Sequence, residues 1–560
     1  MLGAPRPYSF PGSAEGTPQT VLNTPAAIAT ESRNTGMTVQ TFKFTYATMG
    51  MGNQDAFHDA FQKSLETERA AFGKTHGHWI DDREVAGPGT FEDRSPIDRD
   101  LLIGHFATST PDIVKDAIAA ARRAWPGWRD TPWPERVAVL RRAAERISEE
   151  KYDLAALMSL EMGKNRLEAM GDVEESADLI RYYVQQMEDA KGFEQRLGSL
   201  TDNENTRSVL RPFGVFAVIC PFNFPLALAA GPSAGALVAG NTVVFKPSSD
   251  APGMGLRLAK IFHAAGIPRG AFNVVTGAGQ TFGDAITAPD GVDGFLFTGS
   301  KETGMHLMHQ FSKAFPRPAI LELGGKNPAI VMESADLDKA AEGIMKSAFG
   351  MGGQKCSACS RAYVHEAVYD KFIDLLVEKT RKIKIGDPTE RDVYLGPIVN
   401  QAAVDRYQEW VEQARQDGGR IAHGGKPLTD GNRARGCYVE PTVVTDLPLD
   451  HPLFYTEIFA PVLAVGKVRS LDEAIALSNK AEYGLTAGIF TEKKEELDKF
   501  FNEIESGVLY ANRRTGATTG AWPGVQSFCG WKGSGSTGKG GCGPYYVMQF
   551  MREQSRTVMT

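Results

Sequence analysis

Gly353 to Val364 reads GQKCSACSRAYV and places two cysteines, Cys356 and Cys359, three residues apart. That spacing serves three chemistries: half of a zinc site, a dithiol redox pair, or one reactive thiolate beside a thiol that only packs. A structural zinc site needs a second close Cys/His pair. The remaining cysteines, at 220, 437, 529 and 542, offer none with metal-ligand spacing, so no metal is expected. A nucleophilic cysteine needs other company: a base, a donor for the developing oxyanion, and a place for the departing group. Glu322 in LELGGKNPAIV lies between leucines ahead of a Gly-Gly turn, where desolvation raises a carboxyl toward the range of a general base. Asn223 in ICPFNFP ends an apolar run between two phenylalanines, where its amide can donate to an oxyanion. Taken singly, the plainer readings are a solvated loop carboxylate and a turn-forming asparagine.

The elements that must position these groups are legible as a pattern. VFAVIC (215–220), TVVFKP (242–247), FNVV (272–275), GFLFTG (294–299) and AILELG (319–324) are short apolar runs separated by helix-length segments. Strand and helix alternating in this way predict parallel βαβ units with helices over both faces, a dinucleotide-type α/β domain. Upstream, STPDIVKDAIAAARRAW predicts a helix with Thr110 as N-cap, Pro111 at the first position, and Ile113, Ala117, Ala120 and Ala124 as its apolar stripe. A second α/β region follows residue 325, with helices expected over 335–349, 367–383 and the segment after GPIVN. The C-terminus passes from a glycine loop to an aromatic run that reads as a strand able to extend a partner's sheet.

Bulk properties narrow the partners. A chain of 560 residues exceeds one ordinary core, so two or three domains are expected. The formal charge of −7 and the absence of a Lys/Arg block argue against a grip on nucleic acid. No run of apolar residues is long enough to span a bilayer. Six sparse, irregular cysteines point to a reducing compartment, hence the cytoplasm. Residues 1–38 are rich in Pro, Ser, Thr, Gly and Ala without period and read as a flexible tail. They carry neither a secretory nor a mitochondrial signal pattern.

ICPFNFP, FKPSS, FTGSKETG, LELGGK, GQKCSACSR and EIFAPV, occurring in this order, strongly resemble the aldehyde dehydrogenase superfamily. The intervals of 23 residues from Asn223 to Lys246 and 34 from Glu322 to Cys356 agree with it. The resemblance implies that Cys356 is the nucleophile and Cys359 a packing neighbour, expected one helical turn behind it. The thiolate would add to an aldehyde, Asn223 and the Cys356 N–H would hold the oxyanion, and Glu322 would activate the water that hydrolyses the thioester. It implies NAD as cofactor. Lys246 and Ser249 would lie at the adenosine ribose, Gly277 and Gly283 in the glycine loop, Ser300 at the pyrophosphate, Glu457 at the nicotinamide ribose, and Phe459 behind the ring. Many NAD-only members have an acid where this chain has Ser249, so NADP tolerance is expected. The implied fold is α/β: a Rossmann-like NAD(P)-binding domain (75–195 and 213–324), an α/β catalytic domain (325–539) and a small β oligomerisation flap (196–212 and 540–560). A homodimer or a dimer-based higher homo-oligomer is implied.

Within the superfamily, GQKCSACSR most resembles the 1-pyrroline-5-carboxylate dehydrogenase subfamily. The implied substrate is L-glutamate γ-semialdehyde, oxidised to L-glutamate in proline catabolism. Ser357 and the backbone N–H groups of Gly516 and Ala517 would hold its carboxylate, and Phe222 and Phe528 would clamp its chain. Where the subfamily has PFGG this chain has SFCG, with Cys529 in place of a glycine. Another small semialdehyde or aliphatic aldehyde is the competing substrate.

Overall fold

The computed structural model describes residues 54–560, so the tail expected over residues 1–38 lies outside the described residues. Each of the five apolar runs forms a strand: β1 (Val215–Ile219), β2 (Thr242–Lys246), β3 (Phe272–Val274), β4 (Gly294–Thr298) and β5 (Ala319–Glu322). They pair in parallel in the order β3-β2-β1-β4-β5. An antiparallel hairpin, His78–Ile80 and Arg83–Val85, extends the sheet beyond β3. The strand order reverses at β1 and β4, and ligands of such sheets bind outside the strand C-termini at this switch point.

The chain then crosses to a second sheet. It comprises β6 (Asn327–Val331), β7 (Cys359–His365), β8 (Arg420–His423), β9 (Thr442–Thr445), β10 (Val462–Val468), β11 (Thr486–Phe490) and β12 (Val508–Ala511), in the order β8-β9-β10-β7-β6-β11-β12. All pairs are parallel except β8 with β9. Only Leu323 to Lys326 separate β5 from β6, so Glu322 stands at the seam between the sheets. β6 also pairs with β7, and the residues just before β7 include Cys356. This adjacency delivers the base and the thiol to one place.

The expected helices form as Leu337–Phe349, Tyr369–Arg381 and Gln401–Gln416. Thr110 caps Pro111–Asp130, its side chain accepting from the Ile113 N–H at 3.3 Å, a bond worth about 1 kcal/mol. The buried face of that helix runs through Val114, Ala117, Ile118, Ala120 and Ala121; of the expected stripe, Ala117 and Ala120 are buried and Ile113 and Ala124 partly so. A helix over Gln54–Ala71 was not anticipated, although Phe57, Phe61 and Leu65 recur every four residues and are all buried.

Glu204–Pro212 pairs antiparallel with Glu194–Arg196 on one side and with Met551–Met559 on the other. The C-terminal strand therefore starts at Met551 and not near residue 540. The preceding aromatic run is drawn inward: Tyr546, Val547 and Phe550 are buried, and Phe550 meets Phe216 of β1 edge-on at 5.2 Å. Among the described residues no helix is long and apolar enough to cross a membrane.

Candidate active site

A cavity of about 370 Å³ opens at the seam between the sheets, lined by Cys356, Ser357, Glu322 and Phe528 among others. Glu322 ends β5 with its carboxyl enclosed by protein except toward this cavity. Its Oε2 has no hydrogen-bond partner, and burial alone pushes the group up to about 8. A carboxyl at that value lies in the range suited to a general base in neutral to mildly alkaline solution. Cys356 is also pushed up to about 12, by burial first and then by the charges of Glu457 and Glu322, with the Ser357 and Cys356 backbone N–H groups pulling the other way. Such a thiol is dormant until a base or a positive charge reaches it.

The cysteine loop is held from several sides. Asn327, the first residue of β6, donates through Nδ2 to the Cys356 carbonyl at 2.7 Å and the Ala358 carbonyl at 2.9 Å, while its Oδ1 accepts from the Thr486 N–H at 3.0 Å. Thr518 Oγ1 donates to the Ser357 carbonyl at 2.7 Å. Gly325 must lack a side chain, because a Cβ there would lie 2.5 Å from the Cys356 carbonyl oxygen. Asn327 and Thr518 went unnoticed in the sequence, since an Asn after Gly-Gly-Lys and a Thr in a glycine-rich loop read as turn residues.

Cys359 is not on a helix with Cys356. It opens β7, is buried in the second sheet's core, and directs its thiol to the Arg361 carbonyl at 3.4 Å. The turn at Cys356–Ser357 runs through Ala358 into a strand, so the i, i+3 helical geometry never forms. Among the described residues no group of three or more His, Cys, Asp or Glu side chains is placed to hold a metal ion.

Asn223 follows β1, is 2% exposed, and its amide oxygen has no partner. The two flanking phenylalanines divide differently from the expectation. Phe222 turns to Phe459, ring centroids 5.8 Å apart and edge-on, whereas Phe224 lines the cavity with Phe528. Phe224, not Phe222, lines the cavity; an extended segment would put both rings on one face, but the chain bends through Phe222–Phe224 and separates them.

The anion nest expected at Gly516 and Ala517 is also different. The Ala517 N–H donates to the Gly343 carbonyl at 3.0 Å, and the Gly516 N–H has only a long 3.5 Å contact to the Arg513 carbonyl. Ala517 is 1% exposed, so its N–H is consumed by the helix below. Ser357 does line the cavity, one residue from the thiol.

At the switch point the residues suited to a dinucleotide are in place. Lys246 ends β2, its burial pushes the ammonium down to about 8, and its Nζ donates to the adjacent Pro247 carbonyl at 2.9 Å. Ser249 is exposed and donates to the Gly277 carbonyl at 3.3 Å. Gly277 has φ +112°, and a Cβ on it would stand 2.8 Å from the Ser109 nitrogen. Gly283 lies in the helix Gly279–Thr287, against Leu307. Ser300 caps the helix Lys301–Phe311 just beyond β4 and is exposed there, where an anion would meet free backbone N–H groups. Thr298, ending β4, has a buried Oγ1 without a partner and was overlooked, a lone strand-end threonine carrying no signal.

Glu457 accepts from the Gly325 N–H at 2.9 Å, and burial raises it to about 7. Gly324 leaves room for that carboxylate, since a Cβ there would lie 2.0 Å from Glu457 Oε2. Phe459 follows with φ +53°. A spare ammonium, an open helix N-terminus, an unused hydroxyl and a glycine held open by close backbone together fit a nicotinamide dinucleotide.

The aldehyde dehydrogenase family profile matches residues 81–556. The chain is 37% identical over 506 residues to a 1-pyrroline-5-carboxylate dehydrogenase of Bacillus licheniformis, covering 89% of this chain and 95% of the relative. It is 36% identical to 1-pyrroline-5-carboxylate dehydrogenase 2 of Bacillus subtilis, at 89% and 96% coverage. The structure resembles a Thermus 1-pyrroline-5-carboxylate dehydrogenase solved with bound NAD, with a TM-score of 0.87, 32% identity, and coverage of 94% and 100%. Proline utilization A from Bdellovibrio bacteriovorus aligns at TM-score 0.86 and 35% identity over 90% of this chain, which spans 52% of that longer protein. With the thiol and the carboxyl meeting in one cavity and the match running nearly end to end, this chain belongs to the aldehyde dehydrogenase family.

Proposed function

We propose that this chain oxidises L-glutamate γ-semialdehyde, the open form of 1-pyrroline-5-carboxylate, to L-glutamate with NAD, as a step of proline catabolism. The observation that carries the chemistry is the pairing, in one cavity, of Cys356 with an unpartnered buried Glu322. The names of the relatives, at 34 to 37% identity over most of the chain, carry the substrate.

Lys246, Ser249, Ser300 and Glu457 would hold the cofactor, Gly277 and Gly283 would leave it room, and Phe459 would back the nicotinamide. When bound, NAD supplies a hydride acceptor and a positive ring charge that favours the Cys356 thiolate. The Cys356 sulfur adds to the carbonyl carbon. Asn223 and the Cys356 N–H donate to the oxyanion of the resulting thiohemiacetal. Once that carbon is oxidised, a thioester remains on Cys356. Glu322 takes a proton from water, the hydroxide attacks the thioester carbonyl, and the Cys356 thiolate leaves as the acid is released. Ser357 hydrogen-bonds the substrate carboxylate, while Phe224 and Phe528 confine its chain.

NADP is tolerated on this reading because Ser249 presents no charge to a 2′-phosphate. The nearest acid, Asp250, is tied to Asn400 Nδ2 at 3.0 Å and Ser248 Oγ at 3.4 Å. A second substrate reading, an aldehyde without a carboxylate head, is favoured by one observation: the Ala517 N–H is already donated to Gly343. Steady-state kcat/KM over glutamate γ-semialdehyde, succinate semialdehyde and hexanal, with both cofactors, separates the two. A preference for hexanal rejects the first.

We further propose a homodimer or dimer-based assembly built on the flap. Its strand Met551–Met559 presents a free edge with Val558 and Met559 exposed, the arrangement that adds to a partner's sheet. In this reading residues 75–195 and 213–324 form the cofactor domain and 325–539 the catalytic domain. Six free thiols suit the cytoplasm.

A further inference from the structure

We infer that the buried ion pair of Lys164 and Asp172 is a positioning device for Asn223 and Phe224, acting on the reaction proposed above without touching the reacting atoms. The two side chains are 1% and 0% exposed, 2.7 Å apart, and no step of the chemistry uses either. Lys164 Nζ sits 4.1 Å over the ring of Phe224, the residue that walls the cavity. Asp172 reaches further along the same segment. Its Oδ2 takes the lysine, and its Oδ1 accepts from the Ala227 N–H at 2.9 Å. Ala227 begins the helix Ala227–Val238, whose own N-cap residue, Leu226, has no side chain able to cap it. One carboxylate from the neighbouring helix Arg166–Asp189 thus replaces the missing cap and anchors the cation over the ring. The clamp grips residue 224 by its ring and residue 227 by its backbone, and Asn223 is the next residue out.

Stability does not explain this arrangement. Two buried charges exchanged for apolar groups of equal volume commonly leave a protein as stable or more so. What an apolar pair lacks is direction: two hydrogen bonds from one carboxylate and a cation fixed above one ring face. Without them the Phe224 ring and the Asn223 amide are free to tilt, and both the substrate's chain and the oxyanion donor lose register.

The test is the double substitution Lys164→Met and Asp172→Asn, which removes both charges, keeps volume, and leaves an acceptor for Ala227. The melting temperature and the Kd for NAD should stay near wild type. At the same time kcat/KM for glutamate γ-semialdehyde should fall about 10-fold, and kcat for hexanal should fall as well, because Asn223 serves every aldehyde. In a Phe224→Leu background the same pair should cost no more than about 2-fold further, since the ring it positions is gone. Wild-type kcat/KM with both aldehydes overturns the inference, as does full additivity with Phe224→Leu or a parallel loss of NAD affinity. Should the double variant not fold, Lys164→Gln with Asp172→Asn, which keeps a neutral hydrogen-bonding pair in the same volume, carries the same expectation and the same refutation. A wild-type enzyme that prefers hexanal contradicts the substrate reading but leaves this one standing, because the effect of the pair is read on hexanal too.

Discussion

The loop that carries Cys356 and the loop that carries Phe528 face one cavity but are anchored to different things. Carbonyls at 356, 357 and 358 are taken by Asn327 from β6 and by Thr518, and Asn327 is itself fixed by β11. Phe528 is held by the Gly541 carbonyl at 2.7 Å, and Gly524 by the Cys542 carbonyl at 3.0 Å, both in a glycine-rich stretch that is itself loop. Val525, between them, is 80% exposed. The thiol's loop is tied to a strand through Asn327 and to Thr518, whereas the Phe528 loop is tied to another loop. Removing the Asn327 anchor should slow every aldehyde, and disturbing the Phe528 loop should change which aldehyde is preferred.

The largest effect expected is at Glu322. Glu322→Gln should lower kcat by about 100- to 10,000-fold for all aldehydes, the usual worth of a positioned base. In the wild type, kcat should rise with pH and level off above about 8, because the buried carboxyl, raised to that value, works in deacylation only when ionised. A pH profile of kcat checks this, and the inflection should be absent from Glu322→Gln. Next comes Ser357→Ala. Loss of a hydrogen bond to a charged group costs about 1.5–3 kcal/mol, so kcat/KM for glutamate γ-semialdehyde should drop roughly 10- to 100-fold while hexanal changes only a few-fold. Equal losses would place Ser357 with the nucleophile's support and not with substrate choice.

Asn327→Ala sharpens the strand-anchored side. It removes two bonds to the cysteine loop, and kcat should fall about 10-fold for semialdehyde and hexanal alike, with KM little changed. A loss confined to the semialdehyde would contradict the division between the two loops. The smallest effect belongs to Cys359→Ala, a buried thiol outside the cavity. Activity should stay within about 2-fold, with a melting temperature lowered by a few degrees at most. Inactivation equal to that of Cys356→Ala would restore a redox pair.

Much of this was readable from residue order. The five runs from 215 to 324 became five parallel strands because continuous apolar stretches bounded by turn residues have few other fates. Cys356, Glu322 and the cofactor-side positions were named by resemblance, and Cys356 and Glu322 line one cavity. What escaped depended on direction. Phe222 and Phe224 are alike in type, and only tertiary packing turns one to Phe459 and the other to the cavity. The backbone N–H of Ala517 is invisible to composition, and its capture by Gly343 depends on a helix more than 170 residues earlier. The C-x-x-C reads equally as one helical turn or as turn then strand, and pairing with β6 decided for the strand. Lys164 and Asp172, eight residues apart, belong to no motif, and only their burial beside Phe224 marks them.

The most direct test of Cys356 as nucleophile and Glu322 as the base for its release is a rapid-quench experiment on Glu322→Gln. The variant is mixed with NAD and excess aldehyde, and NADH and intact mass are followed through the first turnover. A burst approaching one NADH per active site, with an acyl adduct accumulating on the Cys356 peptide, is the predicted result. Loss of the burst together with turnover, and no adduct at Cys356, would contradict it.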